Sequence, residues 1–89
     1  MEINMKIKST IISDRLENKL VLLDTERNIF IEVNEVGGTI LEFIKNNNTN
    51  SVDDIVEFIK KEYDEAVYVI ERDVIEFIDN MIEEGIVIK

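Results

Sequence analysis

The chain has no cysteine and no histidine, only three glycines in 89 residues, and half as many basic as acidic side chains. Without Cys or His there is no zinc or haem site of the usual kind, no thiol nucleophile, no imidazole base and no Ser-His-Asp arrangement. The common routes to catalysis are closed, and the expectation is a protein that is not an enzyme and carries no cofactor or metal. Long apolar runs are also missing, since stretches such as Leu20 to Leu23 last only a few residues, so no membrane span is expected. The opening "MEINMKIKST" lacks the basic and apolar regions of a secretory signal, which predicts a cytoplasmic mature protein.

Positive charge is scarce and unevenly opposed. Residues 1 to 33 carry five Lys/Arg against six Asp/Glu, whereas residues 34 to 89 carry five against fourteen, so nearly all of the net charge of −10 lies in the second part. A nucleic-acid duplex would be repelled by it. With 45 % hydrophobic and 34 % charged residues the chain is neither disordered nor membranous in composition. It reads as one domain, residues 1 to 89, with a modest core that buries roughly 60 to 65 % of the surface of the unfolded chain.

From Lys6 to Val33 the pattern is that of strands: "KIKSTIIS", "KLVLLD" and "NIFIEV", joined by "DRLEN" and "TER". These spacings predict a three-stranded antiparallel meander. In the third strand Ile29, Ile31 and Val33 share one face and Phe30 and Glu32 the other, so one face is core and the other at least partly wet.

At Asn34 the period changes. "NEVGGTILEFIKNNN" predicts a helix with Asn34 as N-cap, Glu35 at the positive end of the dipole, and Ile40, Leu41 and Ile44 as its buried stripe. Two of the three glycines, Gly37 and Gly38, fall in its first turns, where each costs roughly 1 kcal/mol against alanine. The implied compensation is a close approach to neighbouring backbone that a Cβ would prevent. "NNNTN", Asn46 to Asn50, is a connector rather than a binding tract.

Ser51 opens a second helix, with Asp54 in the place of the usual capping-box Glu, and Val52, Ile55, Val56, Ile59 and Tyr63 on one face. After "EYDEA" a third helix runs through "VIERDVIEFIDNMIEE" and stops at Gly85, a C′ glycine, before the apolar tail "IVIK". Its core stripe is Ile70, Val74, Phe77, Ile78 and Met81. Tyr68, Ile75 and Ile82 widen the apolar arc onto a flank that also holds Arg72 and Asp79. That flank either covers more of a small core or lines a groove for a partner.

The acidic pairs and runs at 53 to 54, 62 to 65 and 83 to 84 lack the alternating ligands and central glycine of a calcium loop. "VGGT" has neither the Walker lysine nor the G-x-G-x-x-G spacing of a phosphate cradle. A helix-turn-helix reading would send the third helix into a DNA groove, but Arg72 stands there among Glu71, Asp73, Glu76, Asp79, Glu83 and Glu84. What remains is a binding module. An open meander has edges, and an edge strand accepts an extended peptide by β-augmentation.

The order "KLVLLD", "NIFIEVNEVGGTILEFI", "SVDDIVEFIKKEYD" and "RDVIEFIDNMIEEGIVI" resembles the PqqD family, also called the precursor peptide recognition element of ribosomally made, modified peptides. Val33-Asn34, Gly37, Ser51 to Ile55, and Asp73, Val74, Phe77, Ile78, Met81, Gly85, Ile86 and Val87 occupy places that match the family pattern, over about residues 9 to 88. The resemblance implies an α+β fold like a winged helix-turn-helix, a three-stranded antiparallel sheet followed by three helices. It implies a non-catalytic protein that binds the leader of a precursor peptide as an added strand on the third strand, against the third helix, and presents it to a separate modifying or processing enzyme. By the same resemblance Asn28, Ile29, Phe30, Ile31, Glu32 and Val33 supply the pairing edge, and Arg72, Ile75, Glu76 and Asp79 face the leader. The acidity of the chain implies a leader that is basic or rich in apolar anchors. The alternatives are a winged-helix domain associated with DNA or transcription, and an assembly module that pairs with itself through the same edge.

Overall fold

The structure, a computed structural model, describes residues 5–47 and 50–89; of the Asn46 to Asn50 connector, residues 48 and 49 lie outside the described residues. In chain order the elements are β1 (Lys6–Ile7), β2 (Ile11–Leu16), β3 (Lys19–Asp24), β4 (Ile29–Val33), α1 (Glu35–Asn46), α2 (Val52–Glu62), α3 (Val67–Glu83) and β5 (Val87–Ile88). Strands β2, β3 and β4 form the antiparallel meander in that spatial order, and three helices follow. This is the α+β arrangement that the sequence implied.

The first strand of the meander is displaced from its expected position. "KIKSTIIS" is broken by a turn at Ser9 and Thr10, and the strand resumes at Ile11 and continues through Asp14 and Arg15 to Leu16. The connection shrinks to Glu17 and Asn18, with Glu17 at φ 55°. Charged residues had suggested a loop, but β2 is an edge strand, where charge is tolerated. Its Arg15 also has a partner in Glu42 of α1.

The piece cut off, β1, pairs with β5 in a separate two-stranded ribbon, Lys6 opposite Ile88 and Ile7 opposite Val87. Asn50 secures this corner. Fully buried, its side-chain amide accepts from the Met5 N–H and donates to the Met5 carbonyl, both at 3.2 Å, and donates to the Asn47 carbonyl at 2.9 Å. It acts as a substitute strand for Met5.

The core lies between the inner face of the sheet and the helices. Leu20, Leu22 and Val33 meet Ile40, Leu41 and Ile44 of α1, with Ile55, Val56 and Ile59 of α2 and Ile70, Val74, Ile78 and Met81 of α3, and Met5, Ile86 and Val87 complete it from the corner of β1 and β5. Phe43 and Phe58 join α1 to α2 with ring centroids 5.0 Å apart. The helix ends follow local chemistry. Asn34 accepts from the Gly37 N–H at 2.9 Å and Ser51 from the Asp54 N–H at 3.1 Å. Gly85, at φ +77°, closes α3, with its N–H on the Ile82 carbonyl and the Ile86 N–H on the Met81 carbonyl, the two bonds of a Schellman motif.

Both helix glycines have a steric reason, and the neighbours are side chains rather than backbone. A Cβ on Gly37 would stand 2.7 Å from Cε1 of Phe77 in α3, and one on Gly38 would stand 3.3 Å from Cβ of Leu20 in β3. The first glycine therefore admits α3 and the second admits the sheet. Together they let the start of α1 sit in the angle between β3 and α3.

Candidate functional site

Strand β4 pairs with β3 on one side only, in the register Leu20 opposite Val33 to Asp24 opposite Ile29. Among the described residues no strand covers its other side. The backbone groups that alternate residues turn outward there are free to pair. Side chains divide by the two-residue period: Val33 is buried and Ile31 half-buried on the core face, while Phe30, 72 % exposed, and Glu32 face solvent. Phe30 lies across from Leu23, itself across from Ile12, so an apolar row crosses the outer face of the sheet. Glu32 pairs diagonally with Lys19 at 2.6 Å.

Asn28 lies just before β4. It occupies the turn before β4 at φ 57°, its N–H bonded to the Asp24 carbonyl. Asparagine tolerates this left-handed conformation better than most residues, and the strand begins only after it.

The segments that flank β4 on both sides reach α3 or its end. At the start, the Asp24 carboxylate, fully buried, accepts from the backbone N–H groups of Glu26 and Arg27 at 3.0 and 3.2 Å and from Arg27 Nε at 2.6 Å. The same guanidinium donates through Nη2 to the Glu84 carbonyl just beyond α3. The Arg27 side chain, helped by the two N–H donors, holds the Asp24 carboxyl below its ordinary pKa, against the opposing pull of burial. At the other end, four residues past Val33, Gly37 rests on Phe77. The turn before β4 thus meets the end of α3, and the first turn of α1 after β4 meets the middle of α3.

Where β4 gives way to α1 there is a cavity of about 560 Å³. Val36, Ile40, Ile59, Ile70, Val74 and Phe77 are its apolar lining. Asp64, Glu65, Asp73 and Glu76 are acidic members, and Asn34, Tyr63 and Asn80 contribute polar atoms.

The expected helix residues do not stay together. Glu76 lines this cavity. Asp79 lines a second one, with Ser51, Val52, Asp53, Ile78 and Ile82, on another flank of α3. At 3.6 residues per turn, Ile75 and Asp79 each lie about 160° around the helix from Phe77. Ile75 is 41 % exposed, and Arg72 is exposed and 3.6 Å from its neighbour Asp73. Asp73, Glu76, Phe77 and Asn80 of α3 line the cavity that Asn34, at the end of β4, also lines. Its spacing in the sequence assigns Phe77 only to the core. The unusual Gly37 was the one sequence signal that something bulky would press there, but it could not name the partner.

Among the described residues no cluster of three or more His, Cys, Asp or Glu could hold a metal, and no helix is long and apolar enough to cross a membrane. The fold and its exposed features define a winged-helix-like domain that offers an open sheet edge beside an acidic helix, rather than a basic recognition helix. The chain belongs to the PqqD family: the model of that family, described as coenzyme PQQ synthesis protein D, matches residues 19–87.

Two solved structures share the fold. One is lasso peptide synthetase B1 complexed with the leader peptide, with a TM-score of 0.84, 20 % identity, and coverage of 98 % of this chain and 100 % of that one. The other is TbiB1 in complex with the TbiA(beta) leader peptide, with a TM-score of 0.82, 22 % identity, and coverage of 92 % and 93 %. A comparison with curated proteins gave no match.

Proposed function

We propose that this protein is a non-catalytic recognition module that captures the leader segment of a ribosomally made precursor peptide as a fourth strand on β4. The observation that carries the proposal is the open edge of β4, flanked on both sides by segments that reach α3 or its end, in a member of the PqqD family. Two proteins of the same fold were solved with leader peptides bound, which supports the reading. Backbone pairing along Ile29 to Val33 gives affinity that depends little on sequence, and side chains beside the strand give selectivity. We place that selectivity on the flank with Asp73, Glu76, Phe77 and Asn80. The flank with Arg72, Ile75 and Asp79 is the competing position. Capture raises the effective concentration of the attached core segment at a separate modifying or processing enzyme in the cytoplasm. The acidity of α3 opposes the duplex-binding alternative.

The test is a titration of isotopically labelled protein with the leader of a precursor peptide encoded nearby, followed by backbone amide resonances. The amides of Ile29 to Val33, Glu76 and Phe77 shift and saturate together. If those of β4 stay in place while the peptide saturates, the strand-addition reading fails.

A further inference from the structure

The cavity at the end of β4 carries information that edge pairing does not use. Asn34, the residue directly after the strand, is part of its lining, so a peptide paired along β4 leaves the edge at the cavity mouth. The floor is apolar, with Val36, Ile40, Val74 and Phe77, whereas the ionisable groups of its lining are Asp64, Glu65, Asp73 and Glu76, joined by the phenol of Tyr63. No lysine or arginine lines it.

Two of the four acids have an internal reason. Asp64 and Glu65 lie just before the Ala66 N-cap of α3, whose first turn has no acidic residue and no side-chain cap, so they complement the positive end of that helix. Asp73 and Glu76 stand in the middle of α3, where the dipole gives no such reason. Asp73 has only Arg72 within ion-pair distance, at 3.6 Å on the exposed surface, and Glu76 has no ion-pair partner among the described residues. Like charges gathered around an apolar depression repel one another, and a cation that enters relieves all of them at once.

We infer that the cavity selects the leader through one lysine or arginine, its methylene stem over Val36 and Phe77 and its cationic head held by Asp73 and Glu76. The long basic side chains are the ones with an apolar stem and a charged tip, which matches a floor and rim of this kind. The inference rests on the strand-addition reading, because β4 is what delivers the peptide to the cavity mouth. It makes β4 the source of general affinity and the cavity the source of discrimination.

The experiment is a selection of displayed random peptides of about fifteen residues, long enough to cover β4 and the cavity at about 3.3 Å per residue. It is run in parallel on the immobilised full chain and on the double variant Asp73→Asn, Glu76→Gln. Both side chains are exposed, so the variant keeps the circular dichroism and melting temperature of the parent. Peptides selected on the parent share a Lys or Arg at one fixed distance from an alternating apolar stretch, and those selected on the variant keep the stretch and lose the basic position. A synthesised winner binds the variant about tenfold more weakly in low salt, and the gap narrows in high salt. A parent pool with the apolar stretch but no basic position, or equal affinities for parent and variant, overturns the cavity inference and leaves strand addition standing. Failure to enrich any peptide, or winners that leave the β4 amides unmoved, overturns strand addition and the inference with it.

Discussion

Arg27 links the turn before β4 to the end of α3: its guanidinium pairs with the buried Asp24 and also donates to the carbonyl of Glu84, 57 residues further on. One side chain thus satisfies a buried carboxylate and caps a distant helix. The position of the β4 edge relative to α3 depends on it.

This arrangement predicts a specific dependence of stability on acid. The folded Asp24 carboxyl has a lowered pKa, chiefly through the Arg27 side chain, so the unfolded chain binds its proton more readily. The contribution is complete above the ordinary carboxylate value of about 3.9 and is lost as pH falls through the lower folded value. Urea denaturation of the parent and of Asp24→Asn as pH is lowered from 7 to below the ordinary carboxylate range checks this. The stability difference between them shrinks on acidification, and a constant difference would refute the assignment.

The contact between Gly37 and Phe77 predicts coupling. Gly37→Ala pushes a methyl into the ring, and an overpacking cost of about 1 to 3 kcal/mol outweighs the gain of about 1 kcal/mol in helix propensity. In Phe77→Leu the same alanine costs less, so a double-mutant cycle in urea returns a coupling energy well above its error. Additive effects would show that the two residues do not press on each other.

Asn50 predicts a large penalty from a residue in a polar connector. Asn50→Ala leaves the backbone groups of Met5 without their partner in a buried place, at a cost of about 1 to 3 kcal/mol. Denaturation midpoints measure the loss, and hydrogen exchange of the Met5 amide accelerates in the variant.

Proline scanning of Ile29 to Val33 separates the two sides of β4. Where the N–H points to β3, proline removes a ladder bond and unfolds the sheet; where it points outward, the fold survives. The folded members of this alternating set lose peptide affinity by at least about tenfold, roughly 1.4 kcal/mol. Folded variants with unchanged affinity would exclude the outer edge as the docking strand.

The sequence made the elements legible wherever one periodicity ran unbroken. The stripes Ile40-Leu41-Ile44 and Ile55-Val56-Ile59 are buried as expected, and Asn34 and Ser51 start their helices and Gly85 ends its own as their chemistry dictates. It misled where a long-range partner changes the meaning of a residue. Asp14 and Arg15 look like loop residues until β2 is seen as an edge and Glu42 as a partner. Asn50 looks like low-complexity filler until Met5 is placed beside it. Around α3 the spacing revealed a wide apolar arc but not its rotation about the helix axis. That rotation depends on Gly37, distant in sequence but packed against Phe77, and it determines whether Glu76 or Ile75 faces the cavity at the end of β4.

The pairing of β1 with β5 also bears on how such a module can be used. With Lys6 opposite Ile88, the first and last described strands lie side by side, on a ribbon separate from the sheet that contains β4. A fold closed in this way can be spliced into a surface loop of a host protein with little strain, since a host loop has to bridge only a short gap. The domain is therefore portable: grafted onto an unrelated enzyme, it would bring the open β4 edge along intact and, on the function proposed above, direct that enzyme to whatever sequence is fused to a captured peptide.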